Sequence, residues 1–142
     1  MQEALNLARE ALTKGEVPVA ALIVRNNEII AKAYNGNRNN CDPTAHAEIL
    51  VLREAGKKIS SARLDDCDLY VTLEPCAMCA AAIALARIKR IYYAANDEKF
   101  GAVENGIRFF NSTSCFHVPE VYSGIAESEA AELLRTFFQQ RR

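Results

Sequence analysis

Four side chains from two short segments have the types and spacing of a metal centre that activates water. His46 and Glu48 lie in the segment HAE at 46–48, and Cys76 and Cys79 lie in the segment PCAMC at 75–79. One imidazole and two thiolates are ligands of the kind that hold a catalytic Zn²⁺, whose fourth position is left for water. Glu48 could then move protons to and from that water. The pattern predicts hydrolytic chemistry at one metal ion.

Helix geometry explains how these side chains could meet. Cys76 and Cys79 are three residues apart, so a helix presents both sulfur atoms on one face. Pro75 places Cys76 near the start of that helix, where the dipole favours a thiolate. His46 is expected in the first turn of its own helix, where positive potential keeps the imidazole neutral. Glu48 lies about 200° around an ideal helix from His46, so we expect it beside the metal rather than on it.

Other interpretations of the same residues stay open. A lone C-x-x-C pair can be redox active or purely structural. A structural zinc site usually has four ligands, and Cys115 or His117 could supply the fourth. A zinc-stabilised RNA-binding module without turnover would need the ligands but not Glu48.

Composition indicates an ordinary globular protein. The chain has 142 residues, of which 50% are hydrophobic and 25% are charged, and its net charge is −1. We expect a single domain over residues 1–142. The near-neutral charge neither favours nor excludes nucleic acid as a partner. No apolar run approaches the roughly 18 residues that span a membrane. Five cysteines, of which only two are closely spaced, favour a reducing compartment, and we expect a cytoplasmic location.

Hydrophobic periodicity predicts an α/β fold with the order α-β-β-α-β-α-β-(β)-α. This order implies three α/β/α layers around a mixed sheet of about five strands. Asp42 or Thr44 is expected to cap the second helix. An asparagine pair at 26–27 is expected to turn the first hairpin. The predicted helices cover 4–12, about 44–56, 76–86 and 128–140, and the predicted strands cover 17–24, 28–34, 68–73, 88–95 and 118–122.

The motifs DPTAHAE at 42–48 and TLEPCAMC at 72–79 resemble those of the cytidine deaminase superfamily. The combination H-x-E and P-C-x-x-C is the signature of zinc-dependent nucleobase deaminases. More narrowly, the chain is similar to the bacterial tRNA-specific adenosine deaminases. That similarity extends to EVPVAALIV at 16–24 and to the C-terminal LLRTFFQQRR, so it covers nearly the whole chain. It implies the cytidine-deaminase-like α/β/α fold.

The resemblance also implies an activity, a cofactor and partners. The reaction would convert adenosine to inosine at the wobble position, 34, of a tRNA anticodon. The enzyme would be a homodimer that acts on a splayed-out anticodon loop and holds one Zn²⁺ per subunit. Unstacked loop bases are what sequence-specific RNA recognition usually targets. His46, Cys76 and Cys79 would bind the zinc, and Glu48 would be the proton carrier.

Seven further residues acquire substrate-binding roles by the same resemblance. Asn35 would hydrogen-bond the base, and Val19 and Leu73 would flank it, although both could simply be core residues. The backbone of Glu74 would lie beside the base and the metal. The remaining roles concern the rest of the anticodon loop. Asp97 would contact the nucleotides next to the base, and Phe138 and Arg141 of the last helix would help to hold the anticodon loop.

One segment departs from the family pattern. Where the family commonly has small residues, this chain has KFGAVENGIRFF at 99–110. Glu104 and the pair Phe109 and Phe110 are unexpected beside a polyanionic substrate, and we expect this loop to border the mouth of the site. The departure bears on the substrate more than on the chemistry. A deaminase of a free base or nucleoside, of the guanine or cytosine type, is therefore the alternative function.

Overall fold

Residues 1–141, which the computed structural model describes, form five strands and four helices. Arg142, the last residue of the C-terminal motif, lies outside this range. The strands are β1 (Ala20–Arg25), β2 (Glu28–Tyr34), β3 (Cys67–Leu73), β4 (Arg90–Ala95) and β5 (Glu120–Ser123). The helices are α1 (Gln2–Thr13), α2 (Ala47–Ile59), α3 (Ala77–Ala86) and α4 (Glu127–Gln139), with a 3₁₀ turn at Phe109–Asn111.

The strands form one mixed sheet in the order β2-β1-β3-β4-β5. β1 pairs antiparallel with β2 and β3, whereas β4 pairs parallel with β3 and β5. One face packs against α2 and α3, and the other face packs against α1 and α4. The predicted three-layer α/β/α fold with a mixed five-stranded sheet is confirmed.

The core follows the alternation of side chains along the strands. Leu69, Val71 and Ile91 point to the face that α2 and α3 cover, and all three are fully buried. Ala94, on the opposite side of β4, packs with Leu5 of α1. Helix α3 contributes mostly alanines, and such small side chains let it lie close to the sheet and to α2.

The first hairpin turns where the sequence predicts. Asn26 and Asn27 both have positive φ angles, of 50° and 63°, between the paired residues Arg25 and Glu28. Two residues with positive φ form the type of turn whose twist suits a β-hairpin, and asparagine adopts it readily.

The sheet topology collects the pocket residues at one edge. β1 runs antiparallel to β3, so Val19, just before β1, lies at the same edge as Leu73, the last residue of β3. Asn35 follows β2, and its backbone N–H donates to the carbonyl of Val19 at 2.9 Å. Glu74 follows β3, and its N–H donates to the carbonyl of Ala95 at the end of β4, at 2.8 Å. Residues far apart in sequence therefore meet at this edge.

The predicted start of α2 is wrong by a few residues. Asp42 does not cap the helix, because its carboxylate accepts bonds from the backbone N–H and the hydroxyl of Thr44 at 2.9 and 2.8 Å. These bonds close a local turn instead. The helix begins at Ala47, and His46 is its N-cap residue with extended backbone angles.

Two strand boundaries differ from prediction for local reasons. β1 begins at Ala20 rather than at 17, because Pro18 has no N–H to donate and the Val19 N–H is used by the carbonyl of Val17 at 2.8 Å. β4 begins at Arg90 rather than at 88, because the N–H of Ile88 donates to Ile83 and closes the end of α3.

The two adjacent phenylalanines of the last helix differ in burial. Phe137 is buried, whereas Phe138 is 54% exposed. Only Phe137 therefore serves the core, and Phe138 is available at the surface. Within residues 1–141, none of the helices combines the length and the apolar character needed to cross a membrane.

Candidate metal centre and adjoining pocket

The three predicted ligands converge. Nδ1 of His46 lies 3.6 Å from Sγ of Cys76 and 3.5 Å from Sγ of Cys79. All three ligand atoms lie within 4.8 Å of one another. Tetrahedral Zn²⁺ with ordinary Zn–N and Zn–S bonds would separate nitrogen from sulfur by about 3.6 Å. The donor set and its spacing therefore fit such an ion, bound through Nδ1 of His46.

Two helix N-termini place these ligands. His46 is the N-cap residue of α2, and Cys76 is the N-cap residue of α3. Both have extended backbone angles, and Cys79 lies in the first turn of α3. The sequence placed Cys76 one position and His46 a few positions too deep in their helices, but it correctly assigned both to helix starts.

The two sulfur atoms differ in their acidity. A hydrogen bond from the Cys79 thiol lowers the pKa of Cys76 to about 4, against the opposing effect of burial, and His46 adds to the shift. The same hydrogen bond, together with burial, raises the pKa of Cys79. Cys76 is thus the thiolate of the pair, and a metal ion has to displace the proton of Cys79.

Cys76 also acts on the acidity of His46. The hydrogen bond with Cys76 raises the pKa of His46, although burial acts in the opposite direction. A cation bound at this nitrogen therefore competes with a proton.

Glu48 is the buried acid of the pocket. Its side chain is 4% exposed, and it lines the same cavity as His46 and Cys76. Burial raises the pKa of Glu48 to about 6. A carboxylate with a pKa close to neutrality can both accept and return a proton at cellular pH.

The candidate fourth ligands lie elsewhere. The Nε2 atom of His117 is 2.7 Å from the carbonyl of Ile88, and the Cys115 thiol donates to the carbonyl of His117 at 3.0 Å. In the described part of the chain, His46, Cys76 and Cys79 form the only group of three or more metal-ligating side chains. The structure therefore favours a three-ligand site over a closed structural one.

A cavity of about 250 Å³ opens above the ligands. The predicted residues Val19, Asn35, Leu73, Glu74 and Asp97 all line it, together with Glu48 and the ligands His46 and Cys76. Its surface is mainly apolar, as is usual for a site that encloses a flat organic ring.

Two lining residues were missed by the sequence analysis. Val17 lies two positions before Val19 and was treated as strand core, and Phe100 stands in the segment that departs from the family. Val17 and Val19 are two residues apart, so an extended segment places both side chains on the same face. This spacing was a signal that Val17 lines the cavity. The sequence indicated that the segment containing Phe100 borders the site, but no pattern singled out Phe100 itself, because the path of the loop decides which residue faces the cavity.

Asn35 is held in one orientation. Its Oδ1 atom accepts a hydrogen bond from the backbone N–H of Ala47, the first residue of α2, at 2.7 Å. The opposite end of the amide, Nδ2, is left to donate to a ligand. The same bond ties the end of β2 to the start of the helix that carries Glu48.

The side chain of Glu74 has a role that the sequence did not indicate. Its carboxylate accepts bonds from the segment 97–105, including the backbone N–H of Asp97 at 3.1 Å and of Val103 at 3.1 Å. Burial by itself would raise the pKa of Glu74, but these donors and Asn105 outweigh it and hold the pKa below its ordinary value.

Phe138 and Arg141 lie outside the cavity of about 250 Å³ above the candidate ligands, which we call the catalytic cavity after the role predicted for it. Phe138 lines a second cavity of about 690 Å³ that shares Val17, Leu73, Asp97 and Phe100 with the first. Arg141 donates from Nη2 to the carbonyl of Gly15 at 3.1 Å, and its guanidinium lies 4.5 Å from the ring centroid of Phe137. It ties the end of the chain to the end of α1.

The segment at 99–110, which departs from the family pattern, contributes less to the wall of the cavity than expected. The Tyr93 hydroxyl donates to Glu104 at 2.5 Å, and Phe110 is buried beside α3. Phe109 packs against the same core. Of the residues that depart from the family, Phe100 is the one that lines the catalytic cavity, whereas Glu104 and the aromatic pair face away from it.

Comparisons with known proteins give a consistent result. A family model described as MafB19-like deaminase matches residues 1–142. A tRNA-specific adenosine deaminase of Agrobacterium fabrum is 54% identical over 142 residues, which cover 100% of this chain and 93% of the relative.

Two solved structures are also similar. One, from a study of A-to-I editing by tRNA:A34 deaminases at the wobble position, has a TM-score of 0.93 and 54% identity, and the match covers 94% of this chain and 97% of that one. The other, a guanine deaminase from Bacillus subtilis, has a TM-score of 0.65 and 37% identity, with coverages of 79% and 82%.

The ligand assignment predicts the effect of Cys79→Ser. Replacing this buried sulfur should abolish stoichiometric binding of a divalent metal and lower the melting temperature, because metal binding is coupled to folding. Metal content per chain is measured by elemental analysis after dialysis. Cys41→Ser is the matched control, since Cys41 is exposed and lies outside the group. Equal metal content in both variants would refute the assignment.

Proposed function

Since the chain belongs to the MafB19-like deaminase family and, within it, to the tRNA-specific adenosine deaminases, we propose that it converts adenosine to inosine at wobble position 34 of a tRNA anticodon. The observation that carries the deamination is the buried carboxylate of Glu48, which lines one pocket with His46 and Cys76. A binding module would need the ligands but not that acid.

We propose Zn²⁺, one ion per chain, as the metal that His46, Cys76 and Cys79 hold. One imidazole and two thiolates are borderline-soft donors that suit this ion, and their separations match tetrahedral bonding. When bound, the ion supplies Lewis-acid activation of water.

Glu48 performs the proton transfers of the reaction. Its carboxylate accepts a proton from the attacking water and delivers it to a ring nitrogen of adenine as the new C–O bond forms at C6. It then takes the proton of the new hydroxyl group on C6 and passes it to the amino group, which leaves as ammonia when the C–N bond breaks and the carbonyl forms. Adenosine and water thus yield inosine and ammonia, with Glu48 unchanged.

The pocket holds the base while this happens. Val19 and Leu73 flank its two faces, and Nδ2 of Asn35 donates a hydrogen bond to the ring. The backbone of Glu74 lies along the remaining side. Because a base inside a stack could not enter such a cavity, the substrate has to present a splayed-out nucleotide.

The second cavity suits the rest of the anticodon loop. It continues from the catalytic cavity past Asp97 to the exposed ring of Phe138. Exposed aromatic rings stack on unpaired bases. Arg141 contributes by holding the last helix against Gly15 rather than by entering the cavity.

The carboxylate assignment predicts the result of Glu48→Gln. The variant keeps the shape of the pocket but cannot carry a proton, so kcat should fall at least about 100-fold while metal content is unchanged. Glu54→Gln, an exposed position on the same helix, is the control and should retain full activity. Turnover close to wild type in the Glu48 variant would exclude the proton-carrier role.

A direct assay separates the proposed substrate from its alternative. Guanine is the specific competitor, because the Bacillus subtilis guanine deaminase is 37% identical. We expect inosine to form in an anticodon stem-loop with adenosine at position 34, and no ammonia from guanine, cytosine or free adenosine. A stem-loop with the adenosine moved to the next loop position is the control. Ammonia release from a free base alone would replace the proposal with the alternative.

We further propose that the protein is a homodimer that pairs through the outer surfaces of α2 and α3. Ile49, Leu52, Ala82 and Leu85 surround a shallow apolar depression there, and Leu85 is 66% exposed. A self-complementary apolar patch is what an isologous interface requires.

The interface proposal predicts the effect of Leu85→Lys. Placing a charge in the patch should convert the dimer to a monomer, as measured by light scattering at micromolar concentration. Ile125→Lys tests the same change at an exposed apolar residue away from the patch, and it should leave the dimer intact. A monomeric wild-type protein would contradict the proposal.

The remaining proposals concern the setting of the reaction. We propose one deaminase domain over residues 1–142, because the family model matches that whole range. We propose a cytoplasmic location, because a tRNA substrate is found there and all five cysteines are unpaired, as in a reducing compartment.

A further inference from the structure

We infer that Glu74 is a positioning residue, whose carboxylate holds residues 97–105 in place as one wall of the catalytic cavity. This inference rests on the proposed function, because the wall matters only if a base binds there. In the described part of the chain, the hydrogen bonds of the carboxylate go to residues of this loop and not to the candidate ligands. It acts through the loop it holds.

Both oxygen atoms of Glu74 are occupied by N–H groups of this loop. Oε1 accepts from the backbone N–H of Asp97 at 3.1 Å and from Nδ2 of Asn105 at 2.6 Å. Oε2 accepts from the backbone N–H groups of Val103, Glu104 and Asn105 at 3.1, 3.0 and 3.0 Å. Glu74 is 2% exposed, so these bonds take the place of water.

The charge of Glu74 is balanced by these donors. Among the described residues, no lysine, arginine or histidine forms an ion pair with it. Hydrogen bonds to an ionised acceptor are shorter and stronger than neutral ones. One buried anion therefore organises a nine-residue loop that has no helix or strand of its own.

The loop carries two residues of the catalytic cavity, Asp97 and Phe100. Oδ1 of Asp97 accepts from the backbone N–H groups of Lys99 and Phe100 at 3.1 and 3.0 Å, so the anchored residue starts the turn that presents Phe100. The ring of Phe100 is 68% exposed. With so little packing of its own, Phe100 depends on the anchored backbone for its position.

Gly101 shows how closely the loop is seated. A Cβ atom at this position would lie 2.6 Å from the Cδ atom of Glu74 and 2.4 Å from the carbonyl oxygen of Asp97. Gly101 also forms an antiparallel bridge with Cys76. The loop thus rests on the carboxylate and on the segment that carries a ligand, and a side chain at Gly101 would lift it.

The test is Glu74→Gln, assayed with the position-34 stem-loop. An amide has a single acceptor oxygen, so at least two of the five donors lose their partner. KM should rise about tenfold, because the wall that binds the base is displaced, while kcat changes less than about threefold. Amide hydrogen exchange at 97 and 103–105 should accelerate, and metal content should stay the same.

Glu16→Gln is the matched control for a loss of buried carboxylate. Glu16 is fully buried and accepts backbone N–H bonds from Arg38 and Asn39 at 3.1 and 2.7 Å. Neither of those two residues lines the catalytic cavity. This variant and Glu74→Gln should both lose stability, because each leaves buried N–H donors without an acceptor, but the KM of Glu16→Gln should stay within about twofold of wild type.

Two further variants separate the effect of the loop's position from the effect of the charge on Glu74. Gly101→Ala lifts the loop while the carboxylate is intact, so it should also raise KM with little change in kcat. Glu74→Asp keeps both acceptor oxygens on a shorter side chain, so it should restore part of the affinity that Glu74→Gln loses. If Glu74→Gln does not fold, Gly101→Ala and Glu74→Asp carry the test.

Several results would overturn the inference. The first is an unchanged KM in both Glu74→Gln and Gly101→Ala. The second is a rise of KM in Glu16→Gln equal to that in Glu74→Gln. The third is a fall of kcat in Glu74→Gln with no change of KM. A wild-type protein that does not deaminate the stem-loop would refute the proposed function instead. In that case hydrogen exchange at 97 and 103–105 still decides whether Glu74 holds the loop.

Discussion

Two helices begin side by side at one edge of the sheet, and the ligand cluster exists because their first residues are held there. His46 and Cys76 are both N-cap residues with extended backbone, so their side chains project across the helix ends rather than along the helix surfaces. The antiparallel pairing of β1 with β3 and the parallel pairing of β3 with β4 fix this edge. The small residues of α3 let it approach α2 closely enough for the ligands to meet.

Two buried glutamates within this arrangement show how environment assigns chemical roles. Glu48 and Glu74 are 4% and 2% exposed. Burial dominates for Glu48 and raises its pKa to about 6, whereas the five donors around Glu74 outweigh burial and lower its pKa. The first can therefore exchange protons near neutral pH, and the second keeps its charge and organises backbone.

The segment 99–110 explains why an unusual sequence is compatible with the family chemistry. Glu104 accepts a bond from the buried Tyr93, and Phe110 fills space beside α3. These residues look out of place beside a polyanion only when the path of the loop is unknown. The fold turns them away from the catalytic cavity and leaves Phe100 as the side chain of this segment that faces it.

The sequence by itself determined the order of elements and the class of sheet, and it predicted the candidate ligands and the candidate proton carrier. Those properties follow from local spacing and periodicity, which short segments encode. The tertiary structure decided the start of α2, the anchoring role of Glu74, the place of Phe100 and the tie from Arg141 to Gly15. Each depends on a contact within an irregular loop or between segments distant in sequence, where no periodic pattern records which donor meets which acceptor.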